Sequence, residues 1–223
     1  MDLIKVIILK LAGLLAQFAE MTNDNSRYSG PPTVQFFYMK EFAVECPRCK
    51  RDALVTTGGW NWEETAKLTC ANCMHAEKAA DLVRYKLIVK RHCDNCGKEF
   101  ETVIPDQKEK VEQITLPCPH CGVTRTYEPR NDKYLTGYKV NGKATDPIFG
   151  LPLWFQADVR GDLFWAYNRD HLKEIKSYVA SKLRERQTNT HTTMVERLPN
   201  FIKDSKNRER IVKVIERLEK KMK

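Results

Sequence analysis

Cysteine is missing from both ends of this chain. None occurs in residues 1–45 and none in 122–223, so all eight lie between Cys46 and Cys121. A disulfide network stapling the whole chain is thereby excluded, and such scaffolds suit short secreted chains in any case. A long unbroken apolar run is missing too. The most apolar stretch is residues 3–19, LIKVIILKLAGLLAQFA, which Lys5 and Lys10 interrupt. It falls short of a comfortable membrane crossing. Asp2 offsets Lys5, so the charged start of a secretory signal is poor, although Ala19 could close a cleavable one. We expect an apolar helix over residues 1–21 that packs on the body or on a partner subunit, and no membrane partner. Oligomeric state is not legible.

The cysteines form four C-x-x-C pairs: Cys46/Cys49, Cys70/Cys73, Cys93/Cys96 and Cys118/Cys121. A tight turn in that spacing points two sulfurs at one centre, and two such knuckles supply the four thiolates of a tetrahedral zinc site. Twenty residues separate the first pair from the second and 21 the third from the fourth, both within the long zinc-ribbon spacing. The gap between the second and third pairs is 19 residues, so spacing alone does not choose the partners. The repeat does. Cys46 to Cys93 is 47 residues and Cys70 to Cys118 is 48, which suggests two copies of one unit. The expected ligand sets are therefore Cys46, Cys49, Cys70 and Cys73 for one zinc ion, and Cys93, Cys96, Cys118 and Cys121 for a second.

Other readings of the pairs fare worse. A thioredoxin-like redox pair needs one C-x-x-C opening a helix, not four in β-like sequence. Iron–sulfur clusters space their cysteines more tightly. His75-Ala76-Glu77 with Pro117-Cys118-Pro119-His120-Cys121 spells the zinc deaminase signature. That assignment strands Cys93 and Cys96 and lacks the flanking helices. A site closed by four thiolates also leaves no position for a reacting water. We expect no enzyme. Thiolate ligands need a reducing compartment, so the expected location is cytoplasmic.

The net charge of +9 is unevenly spread. Residues 169–223 hold 16 Lys+Arg against 8 Asp+Glu, whereas 46–121 hold 12 against 11. Any polyanion would be drawn to the last quarter of the chain.

Taken in order, residues 22–33 (TNDNSRYSGPPT) read as a linker. The zinc-ribbon region is 34–122. Val34–Val44 reads as a strand, Asp52–Thr57 as another, Gly58-Gly59 as a turn and Ala66–Thr69 as the return. Trp60 and Trp62 suit either the cover of a small core or base stacking. Val83, Tyr85, Leu87 and Val89 alternate with Arg84, Lys86, Ile88 and Lys90, a half-buried strand leading into Cys93. Lys98–Ile104 should form a strand, Pro105-Asp106 a turn, and Glu112–Leu116 the return to Cys118.

Residues 123–168 read as a β-rich region. TRTYEP is extended, NDKYLTGYKVNGKATDP is a loop, and two apolar runs, Phe149–Phe155 and Leu163–Tyr167, form a hairpin about DVRGD (158–162). Residues 169–223 read as a basic helical region. Asn168 caps a helix to about Arg186, with Leu172, Ile175, Val179 and Leu183 on one stripe. Thr193 and Glu196 fit a capping box. A last helix, about Ser205–Met222, carries Ile211, Val214, Ile215, Leu218 and Met222. The fold class is thus α+β: two tandem four-cysteine zinc ribbons, then a β-hairpin and a C-terminal helical region.

The runs FGLPLWF (149–155), GDLFWAYNRDHLKEIKSYVASKLRER (161–186) and RLPNFIKDSKNRERIVKVIERLEKK (197–221) resemble a widespread bacterial family without assigned activity. Its members are described as carrying a zinc ribbon of the general transcription factor (TFIIB) type. The resemblance covers roughly residues 40–223. It implies zinc binding and suggests contact with nucleic acid. We expect a non-enzymatic zinc protein whose basic helical face binds nucleic acid through Arg184, Arg186, Lys206, Arg208, Arg210 and Lys213. The alternative is a protein-interaction module, an adaptor or an antitoxin or immunity-type partner, docking through the ribbons and the aromatic hairpin.

Overall fold

The computed structural model describes residues 27–59, 61–186 and 188–221. The apolar stretch 1–21, Trp60 and Met222 lie outside them. The chain divides into two compact units: Gln35–Leu172 with Arg217–Lys223, and the segment ending at Val34 with Lys173–Glu216.

The larger unit is built of hairpins. Strands β1 (Glu41–Glu45), β2 (Asp52–Thr56), β3 (Lys67–Thr69) and β4 (Ala76–Lys78) make an antiparallel sheet in the order β1-β2-β3-β4. Its inner face is Phe42, Val55 and Leu68, all fully buried. The other edge of β1 is covered by the segment 152–154 and by Tyr167. Glu45 N–H donates to Pro152 O, Trp154 N–H to Ala43 O, and Ala43 N–H to Tyr167 O, at 2.7–2.8 Å. An edge treated in this way offers no template for strand addition. A short helix, α1 (Trp62–Thr65), joins β2 to β3 and packs Trp62 against this core.

The second sheet has the order β6-β5-β9, with β5 at Val83–His92, β6 at Glu99–Gln107 and β9 at Arg130–Leu135. Leu87 and Val89 are buried, as the period of two predicts. Beside it, β7 (Ile114–Pro117) pairs with β8 (Thr124–Tyr127). Three expectations are corrected here. Val34–Val44 is not one strand, because Gln35–Tyr38 forms a single 3-10 turn before β1. Pro105-Asp106 is not a turn: β6 runs through it with a bulge, Tyr85 facing Gln107 but Leu87 facing Ile104. Proline lacks an N–H for the ladder, and Asp106 takes a left-handed φ of 62°, so the extra residue is absorbed on an edge strand. Residues 131–135, expected in a loop, belong to strand β9, whose polar side chains hide a backbone pairing with β5.

The aromatic hairpin forms as expected, with β10 at Phe155–Val159 and β11 at Asp162–Ala166. Its turn is tighter than DVRGD, since Arg160 and Gly161 both take positive φ, the two-residue turn that matches strand twist. Phe155, Phe164 and Ala166 are buried, so the hairpin turns its apolar residues inward and leaves Leu163 exposed.

Helix α2 spans Arg169–Ala180. Asn168 caps it, Oδ1 accepting the His171 N–H at 2.9 Å while Nδ2 donates to Tyr38 O and Glu41 O. The helix stops at Ala180 rather than Arg186. Ser181 Oγ bonds back to Ser177 O at 2.8 Å, and Arg184 gathers the carbonyls that the end leaves open. Leu172, Ile175 and Val179 are buried, but Leu183, beyond the helix, is 49% exposed.

In the smaller unit, the 22–33 stretch is anchored at Tyr28. Tyr28 is 1% exposed, its ring edge-on to Tyr178, and its N–H donates to Leu183 O. The Thr193 N–H donates to the Glu196 carboxylate at 2.7 Å, half of the expected capping box. After Pro199 come α3 (Asn200–Lys203), a 3-10 turn capped by Asp204, and α4 (Arg208–Glu219), with Ile211 and Ile215 buried; its residues from Arg217 on, including buried Leu218, belong to the larger unit. No helix among the described residues is long and apolar enough to cross a membrane.

Candidate metal centres

Each C-x-x-C pair sits at the tip of one hairpin: β1–β2, β3–β4, β5–β6 and β7–β8. One local pattern builds all four. The first cysteine's N–H donates across the tip to the carbonyl five residues on: Cys46 to Arg51, Cys70 to His75, Cys93 to Lys98, Cys118 to Val123, at 2.8–2.9 Å. The residue after the second cysteine is left-handed: Lys50 (φ 63°), Met74 (57°), Gly97 (68°) and Gly122 (75°). That reversal turns the backbone N–H groups toward the sulfurs. Glycine takes this conformation without strain, and Lys50 and Met74 take it at a cost.

The hairpins bring the sulfurs together as the repeat predicts. Cys46, Cys49, Cys70 and Cys73 form one group and Cys93, Cys96, Cys118 and Cys121 the other, with the sulfurs of each group within 4.8 Å of one another. Cys46–Cys73 and Cys49–Cys70 lie at 3.7 and 3.6 Å, Cys93–Cys121 and Cys96–Cys118 at 3.7 and 3.9 Å. A disulfide would hold them at about 2.05 Å. Four sulfurs each about 2.3 Å from a central ion, the zinc–thiolate length, lie about 3.8 Å apart at the corners of a tetrahedron. The observed spacings fit that figure. Thiolates in a tetrahedron suit zinc or iron and do not suit magnesium or calcium.

Polar ties lock the two knuckles of each group. Asn72 Nδ2 donates to Asp52 O at 3.3 Å and to Asp52 Oδ1 at 3.2 Å, spanning the first group. In the second, Asn95 Nδ2 donates to Cys121 Sγ at 3.6 Å, and the His120 ring meets Glu99 O at 3.0 Å.

The electrostatics within each group are divided. Burial raises Cys70, yet the N–H groups of Cys73 and Asn72 aimed at its sulfur outweigh this and bring it to about 7. The Val123 N–H, then the Asn95 amide, bring Cys121 down to about 6. The N–H groups of Cys96 and Asn95 likewise lower Cys93. Cys73 goes up to about 12 and Cys96 to about 11. The N–H groups of His75 and Lys98 oppose those rises, but burial and the neighbouring sulfurs prevail. Four sulfurs this close cannot all hold negative charge by themselves. A divalent ion held by these four sulfurs would remove that conflict and favour the thiolate form of all four.

His75 and Glu77 hydrogen-bond each other at 2.6 Å, and Tyr138 OH donates to Glu77 at 2.6 Å. Cys118 and Cys121 belong to the other group, so the deaminase-like spelling is split between two sites. Arg184 turns inward. It donates to Val179 O, Ser181 O and Lys203 O at 2.7–3.1 Å and lies over the Tyr178 ring. Arg186 pairs with Glu196 at 3.0 Å. Arg208 is half-buried, while Lys206, Arg210 and Lys213 are exposed. Sequence reasoning missed Asp146, which is 1% exposed and wraps the loop that lines the first group. The Asp-Pro pair signals a turn there but gives no sign of burial.

Fold and site together define a class: an α+β protein of small antiparallel sheets with two four-cysteine groups that could each hold a metal ion. No family model, no curated protein and no solved structure matches the chain.

Proposed function

We propose that this is a non-enzymatic protein folded around two zinc ions, and that it binds nucleic acid through its basic C-terminal helical face. The tetrahedral spacing of the sulfurs, 3.6–3.9 Å across the knuckles, carries the zinc reading. With four thiolates per ion no coordination position is left for a substrate or water, so the metal's role is to hold the hairpins. The resemblance to proteins with a TFIIB-type zinc ribbon agrees with this reading. Ligands of this kind suit the reducing cytoplasm.

The nucleic-acid reading rests on Lys206, Arg210 and Lys213, exposed at i, i+4 and i+7. Arg208 stands beside them. Arg184 and Arg186 support the fold and contribute less, because carbonyls and Glu196 occupy them. Such contacts are to phosphates and carry no sequence preference. The test is fluorescence anisotropy of labelled duplex and single-stranded DNA and RNA across a salt series. Neutralising Lys206, Arg210 and Lys213 together should reduce the slope of log K against log salt on duplex by about 3, one condensed counterion per contact. An unchanged slope, or no binding at low salt, refutes the nucleic-acid reading.

One observation favours a second reading, a protein-interaction module. Phe36 and Phe37 are 42% and 51% exposed, with Phe36 stacked on Trp62 at 6.1 Å. Exposed neighbouring aromatics are typical interface anchors. If this reading holds, Phe37→Ser abolishes partner capture and leaves nucleic-acid affinity unchanged.

A further inference from the structure

The two four-cysteine groups differ in how much of the fold stands behind them. Cys46 and Cys70 sit within the main core, beside Phe42, Val55, Leu68, Phe149, Leu151 and Leu153. Cys93 and Cys118 sit in a small core whose other buried members are Val89, Phe100 and Tyr127. Residue exposure differs at one position. Each group has two buried cysteines, and Cys49, Cys73 and Cys96 are half-buried, whereas Cys121 is exposed. Cys121 Sγ lies 3.7 Å from Cys93 Sγ, the same separation as Cys46–Cys73, so exposure and supporting core, not sulfur spacing, distinguish the two groups.

We propose that the second group is an oxidation site: a peroxide reacts at Cys121, a Cys121–Cys93 disulfide forms next, and the metal of that group alone is released. This rests on the metal reading given above. The Cys121 thiolate attacks one peroxide oxygen, the O–O bond breaks, and hydroxide leaves. Cys121 then carries a sulfenic acid. The Cys93 thiolate attacks that sulfur, the S–S bond forms, the S–O bond breaks, and a second hydroxide leaves. Two thiolates have lost two electrons to one peroxide, and the ion has lost two of four ligands. A dithiol such as dithiothreitol returns both thiols by exchange.

The difference in supporting core sets the structural consequence. Three buried apolar side chains beside the ligands are too few to hold the cysteine-bearing ends of β5 to β8 without the ion, because so small a module draws its folding energy from ligation. Those ends open. The first group has no exposed cysteine, and its buried pair belongs to the main core. Oxidation would thus convert the hairpin tips of the second group from ordered to disordered and leave those of the first group folded, a reversible redox device.

The test uses the full-length chain, loaded with zinc under reducing conditions and then freed of reductant. Elemental analysis comes first. Fewer than two equivalents at the start refutes the two-centre reading and this inference with it. Hydrogen peroxide is then titrated in with a metallochromic indicator present, and cysteines are mapped by alkylation and mass spectrometry. One equivalent should leave first, with a Cys93–Cys121 disulfide and with Cys46, Cys49, Cys70 and Cys73 still reduced. Dithiothreitol and zinc should restore the starting content. Simultaneous loss of both equivalents, or a disulfide among Cys46, Cys49, Cys70 and Cys73 appearing first, overturns this inference while leaving two-zinc binding intact.

Discussion

Replacing Asp146 should loosen the wall of the first four-cysteine group, although no cysteine is touched. Its carboxylate accepts three backbone N–H groups: Ile148 at 3.0 Å and Phe149 at 2.7 Å on Oδ1, and Leu151 at 2.7 Å on Oδ2. Its own N–H donates to Leu151 O at 2.9 Å. These bonds close a loop that delivers Phe149, Leu151 and Leu153 to the core holding Cys46 and Cys70. Gly150 makes the closure possible. Its φ is 72°, and a Cβ there would lie 2.2 Å from Tyr138 O. Asp146→Ala leaves three buried donors without an acceptor. Each unsatisfied group costs about 1–3 kcal/mol, and because partial opening lets water reach some of them, the total should be about 3–6 kcal/mol. Asp146→Asn keeps the Oδ1 bonds but sets an NH2 against the Leu151 N–H, so it should cost about 1–3 kcal/mol. Urea unfolding of zinc-replete protein, followed by tryptophan fluorescence, measures both. An Asp146→Ala variant within about 1 kcal/mol of the parent, the scale of an ordinary substitution, would refute the reasoning.

Three other expectations are independent of this one. His171 is 2% exposed, its Nδ1 accepts the Tyr167 N–H at 3.2 Å, and burial lowers it to about 4. The unfolded chain, near its ordinary 6.5, takes the proton first, so this residue's contribution is complete above that pH. Stability should fall as pH drops from about 6.5 to about 4, by up to about 3 kcal/mol. A His171→Phe variant should lack that part of the pH dependence, and equal dependence in both proteins would contradict the assignment. At the knuckles, Lys50→Gly and Met74→Gly should each stabilise by about 1 kcal/mol by relieving left-handed strain. Gly97→Ala and Gly122→Ala should cost about as much, and since nothing lies within 4 Å of an added Cβ, backbone strain alone decides. Urea midpoints of the four variants check this. For nucleic acid, Arg184→Ala should lower stability through the lost carbonyl bonds, while Arg210→Ala should lower affinity and leave stability nearly unchanged.

The cysteine pairing was legible because ligand chemistry imposes an exact spacing and the unit is repeated. So were the β5 alternation into Cys93, the hairpin about Arg160-Gly161, and Asn168 at the start of α2, where side-chain pattern and backbone demand coincide. What escaped was held by backbone alone or by distant partners. Arg130–Leu135 is a strand because β5 offers it an edge, and its polar residues show no period. Ala76–Lys78 is too short to signal anything. Pro105 spells a turn in isolation, yet a bulge on an edge strand accommodates it. The basic face was legible as a charge count only. Arg184 and Arg186 have the composition of a polyanion contact, but one satisfies a helix end and the other pairs with Glu196.

Two zinc ions, each gripped by four thiolates, are proposed to hold the hairpin unit in shape. X-ray absorption at the zinc edge, on reduced full-length protein of measured metal content, distinguishes this from any other arrangement. The expected result is two zinc per chain, each bound by four sulfurs at about 2.3 Å, and loss of β structure when a strong chelator removes the metal. A content well below two, nitrogen or oxygen in the first shell, or an unchanged circular dichroism spectrum after complete removal would contradict it.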